Sequence, residues 1–101
     1  MGGGEDPELW HVELKLSARR DLRALPDRER EEVRRLFDEL EEDPFLPGAE
    51  KLRHYNNRYK IRFGRGERYR MLYDVFPASR NVIVGRIALR SPETYSGMDR
   101  W

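Results

Sequence analysis

The stretch that decides the fold runs from Tyr59 to Val75 and reads YKIRFGRGERYRMLYDV. Apolar residues alternate with polar ones in both halves, at Tyr59, Ile61 and Phe63 and again at Tyr69, Met71, Tyr73 and Val75. A period of two is typical of a strand with one buried face. Between the halves, Gly64 to Glu67 contains two glycines and predicts a hairpin turn. The stretch therefore predicts two antiparallel strands that share one buried, apolar face.

The opposite face of this hairpin carries four cations, which are Lys60, Arg62, Arg68 and Arg70. Neighbours on a sheet lie about 5 to 7 Å apart, so each pair repels by about 1 to 3 kcal/mol at an effective dielectric near 20. A multiply charged ligand such as a phosphodiester backbone would relieve this repulsion. Alternatively, Asp74, Glu67 or a C-terminal acid could neutralise the cluster within the protein. We expect the cations to face solvent.

Upstream of the hairpin, the pattern predicts one strand and two helices. Trp10, Val12, Leu14 and Leu16 alternate with polar residues and predict a strand. Ser17 is predicted to cap a short helix that runs to about Leu25, where Pro26 ends it. A second helix is predicted from Arg28 to Glu42, because apolar residues recur at helical spacing at Val33, Leu36, Phe37 and Leu40.

Downstream, Pro77 to Arg80 predicts a second turn and Asn81 to Leu89 a final strand, before Ser91-Pro92. The predicted fold class is α+β, in the order β-α-α-β-β-β, with an antiparallel sheet and two helices packed on one face. We expect residues 1–8 to form a flexible N-terminal tail, residues 9–96 a single domain and residues 97–101 a C-terminal tail.

Composition narrows the classes of function. The chain has 101 residues, a net charge of +1 and no cysteine, which excludes disulfides, thiolate nucleophiles and cysteine-based zinc sites. No stretch approaches the roughly 20 apolar residues of a membrane span. We therefore expect a cytoplasmic protein without a membrane partner. Acids concentrate from Asp27 to Glu50, whereas Glu67 is the only acid from Lys51 to Arg70, which indicates a basic surface in the second half.

Four segments resemble one family pattern. Lys51-Leu52-Arg53, then Tyr59 to Arg62, then Tyr69 to Val75 are similar to the K-L-x, Y-K-[IV]-R and Y-R-[LV]-[LIV]-Y-x-[VI] signature of the RelE/ParE toxin superfamily. The ending Arg90 to Tyr95 resembles its closing R-x-x-x-[VT]-Y. The resemblance covers residues 9–96 approximately, and it implies the RelE/ParE-like fold.

The RelE branch, which we favour, implies a toxin of a type II toxin-antitoxin system that enters the ribosome and cuts mRNA without a metal or other cofactor. Carried over by position, the resemblance implies catalytic roles for Lys60, Arg62, Arg70, Arg90 and Tyr95. Because Pro92 and the spacing to Tyr95 depart from the common ending, Arg86 is an alternative to Arg90. Such chemistry needs a base for the ribose 2′-OH, charge for the phosphorane and an acid for the leaving oxygen.

The base is not identified by the sequence, and three candidates remain. Lys60 and Tyr95 both ordinarily titrate near pH 10, so each needs a strong perturbation to act as a base. Glu50 lies near the place of a glutamate base in a related branch, although we favour the interpretation that it is an ordinary solvated loop acid. Residues expected to bind RNA are Lys51, Arg53, Tyr55 and Arg68.

The resemblance also implies partners and rival functions. A cognate antitoxin would cover the cationic face with an acidic or amphipathic segment, in a complex such as a toxin-antitoxin heterotetramer, and the target would be mRNA on the ribosome. The alternatives are a ParE-like inhibitor of DNA gyrase without catalysis, or a non-toxic member that only binds antitoxin or nucleic acid.

Overall fold

The computed structural model of the protein describes residues 9–90, which form an α+β domain with five strands and two helices. The predicted fold class is confirmed. The elements are β1 (His11–Leu14), α1 (Leu16–Ala24), α2 (Asp27–Glu42), β2 (Glu50–Lys51), β3 (Arg58–Phe63), β4 (Tyr69–Phe76) and β5 (Asn81–Leu89), with a 3₁₀ turn (Arg65–Glu67) between β3 and β4. Among these residues, no helix is both long enough and apolar enough to cross a membrane.

The strands form one sheet in the order β1-β5-β4-β3-β2. The predicted meander is confirmed, because β3, β4 and β5 pair antiparallel in succession. Two features differ from the expected antiparallel sheet. β1 pairs parallel with β5, which the long crossover through both helices makes possible. In addition, the short strand β2 pairs with the start of β3, a pairing too short to leave a periodic signal in the sequence.

The core lies between the two helices and one face of the sheet. Val33 and Leu40 of α2 are fully buried and Leu36 is 9% exposed, in one cluster with Met71 and Tyr73 of β4. The predicted helical stripe and the predicted buried face of the hairpin therefore meet as expected. Burial of a leucine or valine side chain contributes about 1.5 to 3 kcal/mol, so this contact accounts for much of what holds α2 on the sheet.

A β-bulge in β5 keeps the core continuous along that strand. Tyr73 pairs with Val84 and the preceding Leu72 pairs with Arg86, so β5 contains one extra residue, Gly85. An extra residue shifts the alternation of faces by one position. Val84 and Ile87 are consequently both buried in the core cluster although they are three residues apart.

Side chains from α1 close the part of β5 that extends past the end of β1. The Ser17 hydroxyl donates to the Gly85 carbonyl at 2.7 Å, rather than capping the helix as expected. The Asp21 carboxylate accepts from the Ile87 amide and from Arg86 Nε, both at 2.8 Å. The Gly85 carbonyl and the Ile87 amide are backbone groups that a further strand would otherwise pair. Their bonds to Ser17 and Asp21 also hold α1 beside the sheet.

Candidate functional site

The candidate site is built on the sheet face opposite the helices, where β2 meets β3. Glu50 lies directly across from Lys60 in the β2–β3 pair, and Arg62 projects from the same face two residues further along β3. The Glu50 carboxylate oxygen Oε1 lies 3.6 Å from Lys60 Nζ and 3.7 Å from an Arg62 guanidinium nitrogen. Lys60, Arg62 and Glu50 are 26, 46 and 52% exposed at their side chains. We call these three residues the β3 cluster.

A cavity of about 330 Å³ opens beside this cluster, and it is lined by Pro47, Gly48, Glu50, Ile61, Arg62 and Glu67. Glu67 belongs to the turn between β3 and β4, and its Oε1 lies 4.0 Å from the second terminal nitrogen of Arg62. Two carboxylates therefore flank one arginine. The expected alternative of internal neutralisation holds in part, because Glu67 and Glu50 offset the charge of Arg62.

Arg70 does not face solvent, and that expectation was wrong. It is 5% exposed, because it lies on the central strand β4 between Arg62 of β3 and Ala88 of β5. Its terminal nitrogen NH1 donates to the Glu67 carbonyl at 2.6 Å and to the Tyr69 carbonyl at 3.0 Å. Its Nε is buried and has no hydrogen-bond acceptor among residues 9–90.

Asp74 does not neutralise Lys60 or Arg62, because it pairs with Arg58. The Arg58 guanidinium donates twice to this carboxylate, from Nε at 2.7 Å and from its NH2 nitrogen at 3.0 Å. The same guanidinium lies 4.6 Å from the centre of the Tyr55 ring, a cation–π distance. The Arg58 guanidinium thus covers one face of the Tyr55 ring.

The other basic residues that were predicted to act in catalysis or to bind RNA are exposed, and they lie in two separate parts of the surface. Arg90 donates its backbone amide to the Arg68 carbonyl at 2.6 Å, which brings these two residues together beyond the β3–β4 turn. Lys51 pairs with Tyr59, so the alternation of the strand places it on the face opposite Lys60, and Arg53 follows in an exposed loop.

The alternative arginine, Arg86, does not join the β3 cluster. Arg86 is held by Asp21 of α1. Tyr95 lies outside the described residues.

The sequence indicated Glu67 as a neutralising acid but did not predict that its side chain lines a cavity beside Arg62. The available signal was that Glu67 is the only acid in a basic stretch and lies in the turn next to Arg62.

Among residues 9–90, no group of three histidine, aspartate or glutamate side chains is arranged to hold a metal ion.

Solved structures, rather than family models or curated sequences, provide the matches to this chain. No protein-family model matches the chain, and no curated protein sequence matches it. Among solved structures, a chain of the RelBE2 toxin-antitoxin complex from Mycobacterium tuberculosis is 30% identical with a TM-score of 0.68, and the match covers 81% of this chain and 99% of that one.

Two Escherichia coli structures match over similar lengths. A free RelE toxin with two arginines replaced by alanine is 26% identical with a TM-score of 0.76, over 91% of this chain and 97% of that one. The intact E. coli RelBE toxin-antitoxin complex contains a chain that is 27% identical with a TM-score of 0.70, over 81% of this chain and 98% of that one.

These matches agree with the sequence motifs in the strands β3 and β4, and with the fold that those strands build. The identity of 30% extends over nearly the whole of a solved relative. The chain therefore belongs to the RelE family of toxins of type II toxin-antitoxin systems.

Proposed function

We propose that this toxin cuts mRNA on the ribosome, in the cytoplasm, with the β3 cluster as its catalytic centre. The observation that carries the proposal is the Glu50 carboxylate, which lies within 4 Å of both Lys60 and Arg62 on a partly exposed sheet face. One carboxylate between two cations supplies a proton acceptor together with charge for a phosphate.

In the proposed reaction, the ribose 2′-OH attacks the adjacent phosphorus and the bond to the 5′-oxygen breaks. The scissile phosphate takes the place of Glu50 on the cations, and the Arg62 guanidinium binds two phosphate oxygens with its planar fork. The released Glu50 carboxylate accepts the proton of the 2′-OH. The Lys60 ammonium stabilises the dianionic phosphorane and donates a proton to the leaving 5′-oxygen.

Residues around the cluster extend the RNA contact in this proposal. Arg68 and Arg90, joined by their backbone bond, neutralise phosphates next to the scissile one. The Tyr55 ring stacks on a base, and Tyr95 takes part in the RNA contact. Lys51 and Arg53 lie further away and add sequence-independent attraction.

The partner that we propose is a cognate antitoxin. Relatives of this chain have been crystallised in RelBE toxin-antitoxin complexes. An antitoxin segment with acidic side chains would pair with Lys60 and Arg62 and exclude mRNA from them.

The experiment is a cleavage assay with programmed ribosomes and mapping of mRNA ends. The chain is compared with Lys60→Ala, Arg62→Ala and Glu50→Gln. We expect each change to lower the cleavage rate by about 10²-fold or more, in line with the loss of one preorganised charge or proton acceptor.

The matched control is Arg34→Ala, which removes an exposed arginine that pairs with Glu31 on α2 and should leave cleavage unchanged. Intact mRNA together with trapped gyrase–DNA complexes would replace this proposal with the ParE-like function. Intact mRNA without such complexes would leave a member that only binds.

A further inference from the structure

We propose that the Glu67 carboxylate competes with RNA phosphate for the Arg62 guanidinium, and that it thereby keeps free RNA from occupying the β3 cluster. This proposal rests on the proposed function, because it names a residue that sets the affinity of the same site for RNA. Glu67 takes no part in the chemical step.

The two carboxylates beside Arg62 are divided over its guanidinium. One terminal nitrogen of Arg62 lies 3.7 Å from Oε1 of Glu50, and the other lies 4.0 Å from Oε1 of Glu67. A phosphate bound by both terminal nitrogens places one oxygen on each of them. The carboxylates therefore lie on the two nitrogens that such a phosphate would bind, and RNA has to displace both of them.

The contact between Glu67 and Arg62 is weak enough for a phosphate to displace it. The distance of 4.0 Å exceeds that of an ordinary N–H···O hydrogen bond, which is about 2.7 to 3.2 Å. The side chains of Arg62 and Glu67 are 46 and 69% exposed, and exposed ion pairs contribute little free energy. Glu67 therefore weakens the binding of RNA by a small factor and does not block the site.

The backbone at Glu67 indicates that its charge has a use. Glu67 has a φ of 55°, a conformation that is uncommon for a residue with a side chain and that glycine adopts without penalty. It is also the only acid from Lys51 to Arg70, and its side chain lines the cavity beside Arg62. An acid thus stands where glycine would fit the turn at lower cost, and such positions cluster at functional sites.

A weak competitor affects free RNA and ribosome-bound mRNA differently. In the proposed function, the ribosome holds mRNA beside the toxin at a high effective concentration, whereas free RNA is dilute. A small loss of affinity lowers occupancy by dilute RNA in proportion. The same loss hardly changes occupancy by RNA whose concentration is far above its Kd. Glu67 therefore limits the capture of the toxin by free RNA without slowing cleavage on the ribosome.

The experiment measures the Kd of a fluorescently labelled single-stranded RNA for the wild type and for Glu67→Gln. The matched control is Glu31→Gln, which removes the same charge from an exposed pair with Arg34 on α2. Arg62→Gln and the double variant with Glu67→Gln complete a double-mutant cycle. Glu67→Asn takes the place of Glu67→Gln if the latter does not fold, since asparagine tolerates a positive φ.

We expect Glu67→Gln to lower the Kd by about two- to fivefold, the effect of breaking one exposed ion pair. Glu31→Gln should change the Kd by less than about 1.5-fold, because salt screens distant charges. In the Arg62→Gln background, Glu67→Gln should likewise change the Kd by less than about 1.5-fold. Single-turnover cleavage of ribosome-bound mRNA by Glu67→Gln should stay within about twofold of the wild type.

The inference is overturned if Glu67→Gln leaves the Kd unchanged, if Glu31→Gln lowers it equally, or if the gain persists without Arg62. Loss of cleavage by about tenfold or more in Glu67→Gln would also overturn it, because Glu67 would then act in the chemical step. RNA binding by none of these chains would overturn it as well. The proposed function fails separately: a wild type that cuts no ribosome-bound mRNA, with the expected pattern of Kd values, loses the nuclease activity but keeps the competition at Arg62.

Discussion

Arg58 and Asp74 face each other across the β3–β4 ladder and form an ion pair with two hydrogen bonds, at 2.7 and 3.0 Å. Both side chains are only 12% exposed. A buried charge that loses its partner is left uncompensated, which costs about 3 to 5 kcal/mol. The pair therefore ties the start of β3 to the end of β4.

We expect Asp74→Ala to lower the free energy of unfolding by about 3 kcal/mol or more, measured by urea denaturation. The control is Glu31→Ala, which breaks the exposed pair with Arg34 at 3.4 Å and should cost less than about 1 kcal/mol. Equal losses in the two variants would show that burial of the Arg58–Asp74 pair has no energetic consequence.

The helical stripe can be tested with two leucines. Leu40 of α2 is fully buried, whereas Leu16 at the start of α1 is 58% exposed. Leu40→Ala should lower the free energy of unfolding by about 2 to 5 kcal/mol, because it removes transfer energy and leaves a cavity. Leu16→Ala should change it by less than about 1 kcal/mol, as is usual at surface positions. A Leu40→Ala variant as stable as Leu16→Ala would exclude this face of α2 from the core.

Two glycines with a similar positive φ allow the cost of a steric clash to be compared with the cost of a positive φ alone. Gly64 and Gly48 have φ of 84° and 87°, so alanine is strained at both. A Cβ at Gly64 would lie 2.6 Å from Cδ2 of Tyr69, whereas at Gly48 it would meet nothing within 4 Å. Gly48→Ala should cost about 1 kcal/mol. Gly64→Ala should cost at least about 1 kcal/mol more, because Tyr69 must move. Thermal unfolding curves of the two variants give the comparison directly.

Tyr73 should make stability depend on pH in alkali. Burial raises the pKa of its phenol well above the ordinary value, with smaller contributions from Tyr59 and Asp43, and the hydroxyl donates to the Pro44 carbonyl at 2.9 Å. Since the folded chain retains a proton that the unfolded chain releases near pH 10, this contribution is complete below pH 10 and is lost as pH rises above it, towards the folded pKa.

Comparison with Tyr73→Phe isolates the titration of this group. The difference in unfolding free energy between wild type and variant should shrink by about 1 kcal/mol between pH 10 and pH 11. At pH 7 the variant should be less stable by about 1 kcal/mol, because the Pro44 carbonyl loses its donor. A difference that is constant across this range would mean that Tyr73 titrates normally in the folded chain.

The proton acceptor can be tested by replacing each carboxylate beside Arg62 with the corresponding amide. Glu50→Gln keeps the size of the side chain but cannot accept the proton of the 2′-OH, so we expect the single-turnover cleavage rate to fall by about 10² to 10⁴-fold. Glu67→Gln is the companion variant, and an equal loss of rate there with an active Glu50→Gln would move the base to the turn.

The elements of the fold could be predicted because the hydrophobic periodicity of each segment, and the turn residues between segments, agree with the tertiary structure. Asn81–Leu89 was predicted at the bounds that β5 shows, since the turn before it and Ser91-Pro92 after it are both visible in the sequence. The parallel pairing of β1 could not be predicted from alternation. Side chains alternate between the two faces of a strand with a period of two, whether its neighbour is parallel or antiparallel.

The candidate site was harder to predict because alternation gives the face of a side chain and not its depth. Lys60 and Arg62 lie on the predicted face and are partly exposed. Arg70 shares that face by register but is buried, since β4 is the central strand and the order of strands is a long-range property. The approach of Glu50 to Lys60 depends on β2, a pairing of two residues.

The pairing of β1 with β5 also determines when the sheet can be completed during translation. His11 of β1 pairs with Asn81 of β5, which is the last strand of the sheet in the sequence. β1 therefore cannot form this pairing until β5 has left the ribosome. Contacts this distant in sequence slow folding and leave partly folded chains exposed. A nascent chain that stops before β5 has neither a partner for β1 nor the second neighbour of β4. Such a fragment cannot complete the five-stranded sheet on which the β3 cluster is built.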